Sequence, residues 1–406
     1  REGGVRDGRF TLKGSPEVEA RISQVVSEAA AVIHGHVRPD ELRTLALIGG
    51  YGRGEGGVEK RDGVERPHNN LDFLLVLERA PREGLKARLD LVLEPLRERH
   101  GLGLDLGVTT VRALRRSPCQ VIWYDMRFGH KTVAGDASFL PGLEHFTREA
   151  IPPDDVRNLA VNRGTLLIIN QVLRDQGALG EDARRTILRH TAKAIIGYGD
   201  ALLYFLGAYD WSYAEKRRRM ALRHDVPAGF RKLYDEASAF RLEPDYARFA
   251  PSELGPWMDE GRARLAEVHL TCEAARLSVP GLKWSGYAER ALKHSLKEGG
   301  LQPKVWLRRV RNGVRFRPKA SPELGLRARL GLRLGGPRGG LAAAFPFVAF
   351  EVGGPQDAEF ARQLLRAASR EPADLRRAYL RYWGESGDPN FAHVARKLGL
   401  RLGDQS

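Results

Sequence analysis

Residues 45–77 read LALIGGYGRGEGGVEKRDGVERPHNNLDFLLVL. An apolar run, Leu45 to Ile48, stops at Gly49-Gly50, and a second, Phe73 to Leu77, is entered through Asn70-Leu71-Asp72. Apolar runs of this length bounded by Gly and Asn predict two buried strands. The loop between them carries Gly49, Gly50, Gly52, Gly54, Gly56 and Gly57. Such a loop lets the backbone approach an anion and aim several N–H groups at it. Arg53 lies inside the loop, and a guanidinium offers forked donors to phosphate oxygens. At the start of the second strand, Asp72 brings a carboxylate near the cradle, the hard oxygen donor that Mg²⁺ takes beside phosphates.

The stretch resembles the signature of the DNA polymerase β-like nucleotidyltransferase superfamily: an apolar strand, Gly-Gly or Gly-Ser, a short helix, then Asp-x-Asp opening a second strand. It is most similar in texture to the minimal nucleotidyltransferases, with Gly50 at their glycine, Arg53-Gly54-Glu55 at their Arg-Gly-Glu, and Asn70-Leu71-Asp72 at their Asp-x-Asp. The resemblance covers residues 40–136, about a quarter of the chain. It implies transfer of an NMP from an NTP to an acceptor hydroxyl, with Mg²⁺ or Mn²⁺ as cofactor. It further implies nucleotide contacts from Gly49, Gly50, Tyr51, Gly52 and Arg53, and metal-binding and catalytic roles for Asn70, Asp72 and, on a later strand, Asp105 in LGLDLGVTTV. Two metals about 3.5–4 Å apart would clamp the attacking and leaving oxygens. Two departures stand out: Asn70 replaces the first Asp, so one charge is missing, and VEKRDGVERPH lengthens the loop. The alternative is therefore a nucleotide- or RNA-binding protein of the same fold with weak or no turnover.

Read from the residues alone, an Asp in an apolar strand such as Asp105 must be paired, exposed at an edge, or a ligand, because an unpaired buried carboxylate is costly. Asp72 as a strand-edge residue, Asn70 as an Asx-turn residue and Arg53 as a solvated loop residue are the plain alternatives. Glu55 reads as an ion-pair partner in the loop.

The remaining chain gives an α/β N-terminal domain with a small mixed sheet, followed by a mostly α-helical C-terminal region. Residues 1–15 read as a polar lead-in. Ser15-Pro16 opens a helix with Val18, Ile22, Val25, Val26 and Ala29 on one face. A helix over 82–100, a strand over 102–111 and a further strand over 120–129, running into 131–133, complete a domain that ends near residue 150. Helices follow at 154–176, 181–209, 227–242 and 252–278, placing a helical bundle at 151–280 and a basic, mixed region at 281–406. The apolar run 341–350, broken by Pro346, reads as a core strand or packing segment, and helices close the chain at 356–384 and 389–399.

Lys193 and Asp200 fall two turns apart on one helix face; the resemblance implies nucleotide or acceptor contacts for them, and the residues alone read as an interhelical ion pair. A net charge of +15 points to a polyanionic partner, with RNA (a tRNA end, for instance) slightly favoured over protein or small molecule. Arg217, Arg218 and Arg219 form a charge run that is either a solvated face or a phosphate-backbone contact. Between Lys304 and Arg338 there are 11 Lys or Arg against one acid, including Arg308, Arg309, Arg311, Arg315 and Arg317 around a possible Asn312-Gly313 hairpin turn. The plain alternative for that tract is a solvent-exposed basic linker. Arg185-x4-His190 and Arg219-x4-His224 fit the spacing of the HEPN ribonucleases, which would make the chain a toxin half, but 66 basic residues and 11 His make chance matches expected. Two cysteines without metal-type spacing, and no apolar run of membrane length, predict a soluble cytoplasmic protein.

Overall fold

The structure is a computed structural model that describes residues 8–403 apart from 178, 249–250, 297, 299–306, 308–309, 311–324, 387 and 389. The chain divides into two compact units, residues 1–155 with 208–245, and 156–207 with 246–406. The division at 155 lies beside the boundary expected near 150. Residues 208–245, expected within the helical bundle, fall instead with the first unit.

The first unit is built on a mixed four-stranded sheet in the order β5-β4-β1-β6. Its strands are β1 (Leu42–Ile48), β4 (Leu71–Leu77), β5 (Leu104–Thr110) and β6 (Lys131–Gly135). β1 runs antiparallel to both β4 and β6, whereas β4 and β5 are parallel. A parallel pair needs a crossover, supplied here by helix α3 (Leu85–His100). Alternate residues of a strand face opposite sides of the sheet. One side presents Leu45, Leu47, Leu71, Phe73, Leu75, Leu77, Leu104 and Leu106 to helix α1 (Pro16–His34) and to α3. Burial on this side is complete enough to fix the register, since a one-residue slip would turn every leucine outward. The other side therefore receives Asp72, Leu74, Val76 and Asp105.

Helix α1 starts where Ser15 and Pro16 require it, with the Ser15 hydroxyl accepting from the Val18 N–H at 3.4 Å. Two sequence expectations for this unit are corrected. VEKRDGVERPH is a β-hairpin, β2 (Val58–Arg61) and β3 (Val64–Pro67), rather than an extended loop. Asp62 and Gly63 both take positive φ, +53° and +77°, as a two-residue turn of primed type requires. The segment 120–129, expected as a strand, is helix α5 (Val121–Phe128). Its aromatic, β-branched composition reads as strand, but Val121, Tyr124 and Phe128 share a helical face, and Asp155 caps it by accepting from the Val121 N–H at 2.8 Å. A short helix α4 (Val111–Arg116) precedes it, and two helices close the unit, α8 (Tyr213–Ala221) and α9 (Ala228–Leu242).

The described elements of the second unit are all helices: α6 (Pro153–Asp175), which begins three residues ahead of it, α7 (Glu181–Phe205), α10 (Pro251–Leu277), α11 (Tyr287–Ser295), α12 (Leu326–Ala349), α13 (Pro355–Leu365), α14 (Pro372–Ser386) and α15 (Phe391–Lys397). Residues 341–349 pack in the core as the C-terminal part of α12, with Phe350 at its C-cap, and not as a strand; the alanine-rich run favours helix. The single helix expected over 356–384 is two. Arg366 breaks it, in a left-handed conformation with φ +52°. Among the described residues no helix is long and apolar enough to cross a membrane.

Two buried histidines lie in this unit. His190 Nδ1 donates to Asn170 Oδ1 at 3.0 Å, and His269 bridges the hydroxyls of Tyr198 and Tyr287 at 3.1 and 3.4 Å. Burial, then the charges of Lys193 and Arg189, hold the His190 imidazole down to about 3. Burial holds that of His269 down to about 4. Above pH 6.5 both rings are neutral in the folded and unfolded chain, and the histidines leave stability flat. As pH falls through 6.5 the unfolded chain takes up protons that the folded one refuses, so stability drops by about 1.4 kcal/mol per pH unit for each ring until its folded value is reached. Urea unfolding at pH 7, 6 and 5 is expected to show this loss before carboxylates begin to titrate. A flat profile over that window would mean that the rings are charged or exposed in the native state.

Candidate functional site

β1 ends at Ile48 and turns at once into α2 (Gly49–Gly52). Gly49 has φ +68°, a left-handed conformation that glycine adopts without the Cβ penalty. A methyl group there would sit 2.3 Å from Asp72 Oδ2, so the lack of a side chain also lets the carboxylate close on the turn. Asp72 reaches this position because its strand pairs with β1 so that Asp72 lies opposite Ile48. In the other direction it pairs in parallel register with Asp105 of β5. Residues paired in register, and residues two apart on a strand, share a face. Asn70, Asp72 and Asp105 are thus brought to one side and one end of the sheet, as expected. Asn70 Nδ2 donates to Asp105 Oδ2 at 2.9 Å, so Asp105 is paired as well as exposed.

This donor set fits one divalent cation in its chemistry: two carboxylates on neighbouring strands and an amide, all hard-oxygen donors. It is poorer than a set of three carboxylates. Among the described residues no cluster of three His, Cys, Asp or Glu is arranged to hold a metal. The amide N–H of Asn70 also takes up a lone pair of Asp105 that a second cation would use.

The remaining loop residues are turned inward. Tyr51 is buried; its hydroxyl donates to the Gly57 carbonyl at 2.8 Å and accepts from the Asn69 N–H at 3.2 Å. Burial pushes its phenol up to about 12. Gly52 and Gly50 are buried too, Gly52 against the Leu47 carbonyl. Arg53 is 8% exposed and donates from Nη2 to Asp125 Oδ2 at 2.7 Å, with its guanidinium 4.6 Å from the centre of the Tyr213 ring. Asp125 also accepts from the Tyr209 hydroxyl at 2.9 Å. Arg53 is a buried ion-pair residue here rather than a solvated loop arginine. Glu55, expected as an ion-pair partner, caps α8: its carboxylate accepts from Ser212 Oγ at 2.6 Å, the Tyr213 N–H at 2.7 Å and the Ala214 N–H at 3.2 Å. An anion at a helix start satisfies orphan amides and the dipole together.

What the sequence did not single out is Arg241, in the last turn of α9. Its guanidinium lies 4.1 Å from the centre of the Tyr213 ring, and its Nη2 is 3.2 Å from where a Gly50 Cβ would be. No motif marks this position. It becomes visible only once α9 is folded against the glycine turn.

The basic run on α8 is largely neutralised within its own unit. Arg217 pairs with Asp235 at 2.5 Å, Arg218 and Arg219 both pair with Glu215 at 2.7 Å, and Arg219 also reaches Asp210. Hydrogen bonds from Arg218 and Arg219 hold the Glu215 carboxyl at about 2. Lys193 and Asp200 lie on α7 in the second unit, half-buried and buried, each with partners. The two Arg/His spacings do not form matched pairs: Arg185 stacks on Tyr246 at 3.8 Å while His190 bonds Asn170, and Arg219 is held by acids while His224 is exposed. Arg308, Arg309, Arg311, Arg315, Arg317 and the Asn312-Gly313 turn lie outside the described residues. No family model matches this chain, and no curated protein is significantly similar to it.

Proposed function

We propose that the first unit is a metal-dependent nucleotidyltransferase that moves an NMP from an NTP to an acceptor hydroxyl, with RNA the favoured acceptor. The observation that carries this reading is the pairing of Asp72 with Asp105 on parallel neighbouring strands, with the Asp72 carboxylate closed on the left-handed Gly49 at the end of β1. Two carboxylates beside a glycine turn are suited to a polyphosphate and its counter-cation, and few purely structural needs would set two acids side by side on a sheet face. When bound, Mg²⁺ would be held by Asp72 and Asp105 and would supply charge neutralisation on the phosphates and acidification of the acceptor hydroxyl. The Gly49-Gly50 amides contribute donors at a helix start, where backbone N–H groups lack intrahelical acceptors. Asp125 and Glu55 contribute by fixing the loop through Arg53 and α8. The favoured acceptor rests on the net charge of +15 and not on the α8 run, whose arginines are already paired.

A second reading, nucleotide or RNA binding with little turnover, is favoured by one contact, the Asn70 amide donating to Asp105. One experiment separates the two. Purified protein with Mg²⁺ or Mn²⁺ receives each α-labelled NTP, with total RNA and a protein extract as acceptors, alongside Asn70→Asp. The substitution replaces the donated N–H by a third carboxylate. It is expected to raise the rate by about 10-fold or more while lowering thermal stability in the absence of divalent cation, because three like charges then crowd one site. Label in the wild-type reactions supports the transferase, and the labelled fraction names the acceptor class. Label only with Asn70→Asp supports the binding reading. Nucleotide that neither labels an acceptor nor binds in either protein refutes both.

A further inference from the structure

We propose that Arg241 is the side chain that recognises the terminal phosphates of the polyphosphate at the glycine turn, the task that sequence reasoning gives to Arg53; the inference rests on the proposed nucleotide site. Arg53 is spent on Asp125 and sealed under Tyr213. Arg241 shares the Tyr213 ring with it but differs in its partner and its place. Its terminal nitrogen overlies Gly50, the second residue of the turn, while the Asp72 carboxylate closes on Gly49, the first. Among the described residues no carboxylate pairs with Arg241, and its Nε is buried without a hydrogen-bond acceptor.

Arg241 is half-buried, and a buried guanidinium nitrogen without an acceptor carries a cost that a bound anion would offset. What holds the guanidinium is the ring of Tyr213, shared among three cations: Arg53 at 4.6 Å, Lys216 at 4.6 Å and Arg241 at 4.1 Å from its centre. Stacking on a ring fixes the plane of the guanidinium and leaves its edge for hydrogen bonds, which is how arginine presents a fork to phosphate oxygens. Of the acids near this ring, Asp125 is taken by Arg53 at 2.7 Å and Glu55 is engaged by the start of α8. The ligand class that satisfies Arg241, the glycine amides and a cation on Asp72 together is a polyphosphate chain, with a nucleoside carried by it.

The test uses the full chain and two probes, inorganic tripolyphosphate without metal and ATP with Mg²⁺, titrated calorimetrically at fixed salt. The proteins are wild type, Arg241→Ala, Arg241→Lys and Arg38→Ala, the last removing one exposed cation paired with Asp40. Loss of charge-assisted hydrogen bonds predicts weakening of tripolyphosphate binding by roughly 10- to 100-fold in Arg241→Ala, with Arg241→Lys in between and Arg38→Ala at the wild-type value. Thermal melts of each variant, read in parallel, ensure that the comparison is made between folded proteins. Unchanged affinity in Arg241→Ala overturns the proposal. So does an equal loss in Arg38→Ala, which would make the effect one of net charge, and so does a wild-type protein that binds neither probe. If tripolyphosphate binds through Arg241 but no acceptor is ever labelled, the Arg241 assignment stands and the transferase reading falls.

Discussion

Asp72→Ala is expected to lower NMP transfer by roughly 10³-fold or more while leaving the first unit folded. The activity loss follows from position. Asp72 lies between the glycine turn and Asp105, and among the described residues no other carboxylate shares both neighbours. Removing it deprives a cation of a ligand and the turn of its nearest charge at once. Stability should respond little, because the carboxylate lies on the face of the sheet that α1 and α3 do not cover, and its removal leaves the packed leucines of β4 untouched. The check is a pair of measurements on the same sample: labelled-NTP transfer and urea unfolding. Retained transfer in a folded Asp72→Ala protein would remove the ground for assigning chemistry to this end of the sheet.

The second large effect is on stability. Asp125→Ala is expected to cost about 3–5 kcal/mol, the typical penalty for leaving one partner of a buried ion pair uncompensated. Burial works against the charge of Arg53, and the surrounding Tyr213, Asp125, Tyr209 and Glu55 more than offset it. Asp125 is the nearest full anion of that set, at 2.7 Å. Two nitrogens of Arg53, Nε and Nη1, already lack acceptors, so the guanidinium has no alternative partner to turn to. Combining Asp125→Ala with Arg53→Met, which removes the stranded cation while keeping much of its volume, should recover a large share of the loss. A double variant no more stable than Asp125→Ala alone would show that packing of the Asp125 carboxyl, and not its charge, is what the loop depends on.

How far the sequence disclosed this architecture depended on how local each signal was. The two leucine-rich strands, the capped α1 and the crossover α3 were legible because apolar spacing and a Ser-Pro start are properties of neighbouring residues. Asn70, Asp72 and Asp105 were legible as a group because strand periodicity sets their common face. The hairpin over 58–67 carried a signal that went unused, an Asp-Gly pair between short extended runs. α5 was misread since its composition favours strand while a residue 34 positions after its first turn, Asp155, supplies its cap. Arg53 looked like a phosphate contact because its partners, Asp125, Tyr209 and Tyr213, are distant in sequence. Arg241 was invisible for the same reason. Charge runs misled in the opposite sense: three arginines in a row on α8 suggested a polyanion surface, and their acids, Glu215, Asp210 and Asp235, were in view without a helix geometry to connect them.

The first unit is interrupted: its chain departs at 155 and returns at 208. The residues that return include Ser212 and the start of α8 on Glu55, Tyr209 on Asp125, and Arg241 over Gly50. During synthesis, therefore, the sheet can emerge from the ribosome complete through β6 while its glycine turn still waits for some hundred residues of chain. Until then Glu55 lacks the start of α8 and Asp125 lacks the Tyr209 hydroxyl, so the charges of the turn face water. A gene fragment trimmed to the apparent end of the α/β region at 155 would lack the same contacts, and a fragment that keeps the first unit whole must carry the chain through residue 245.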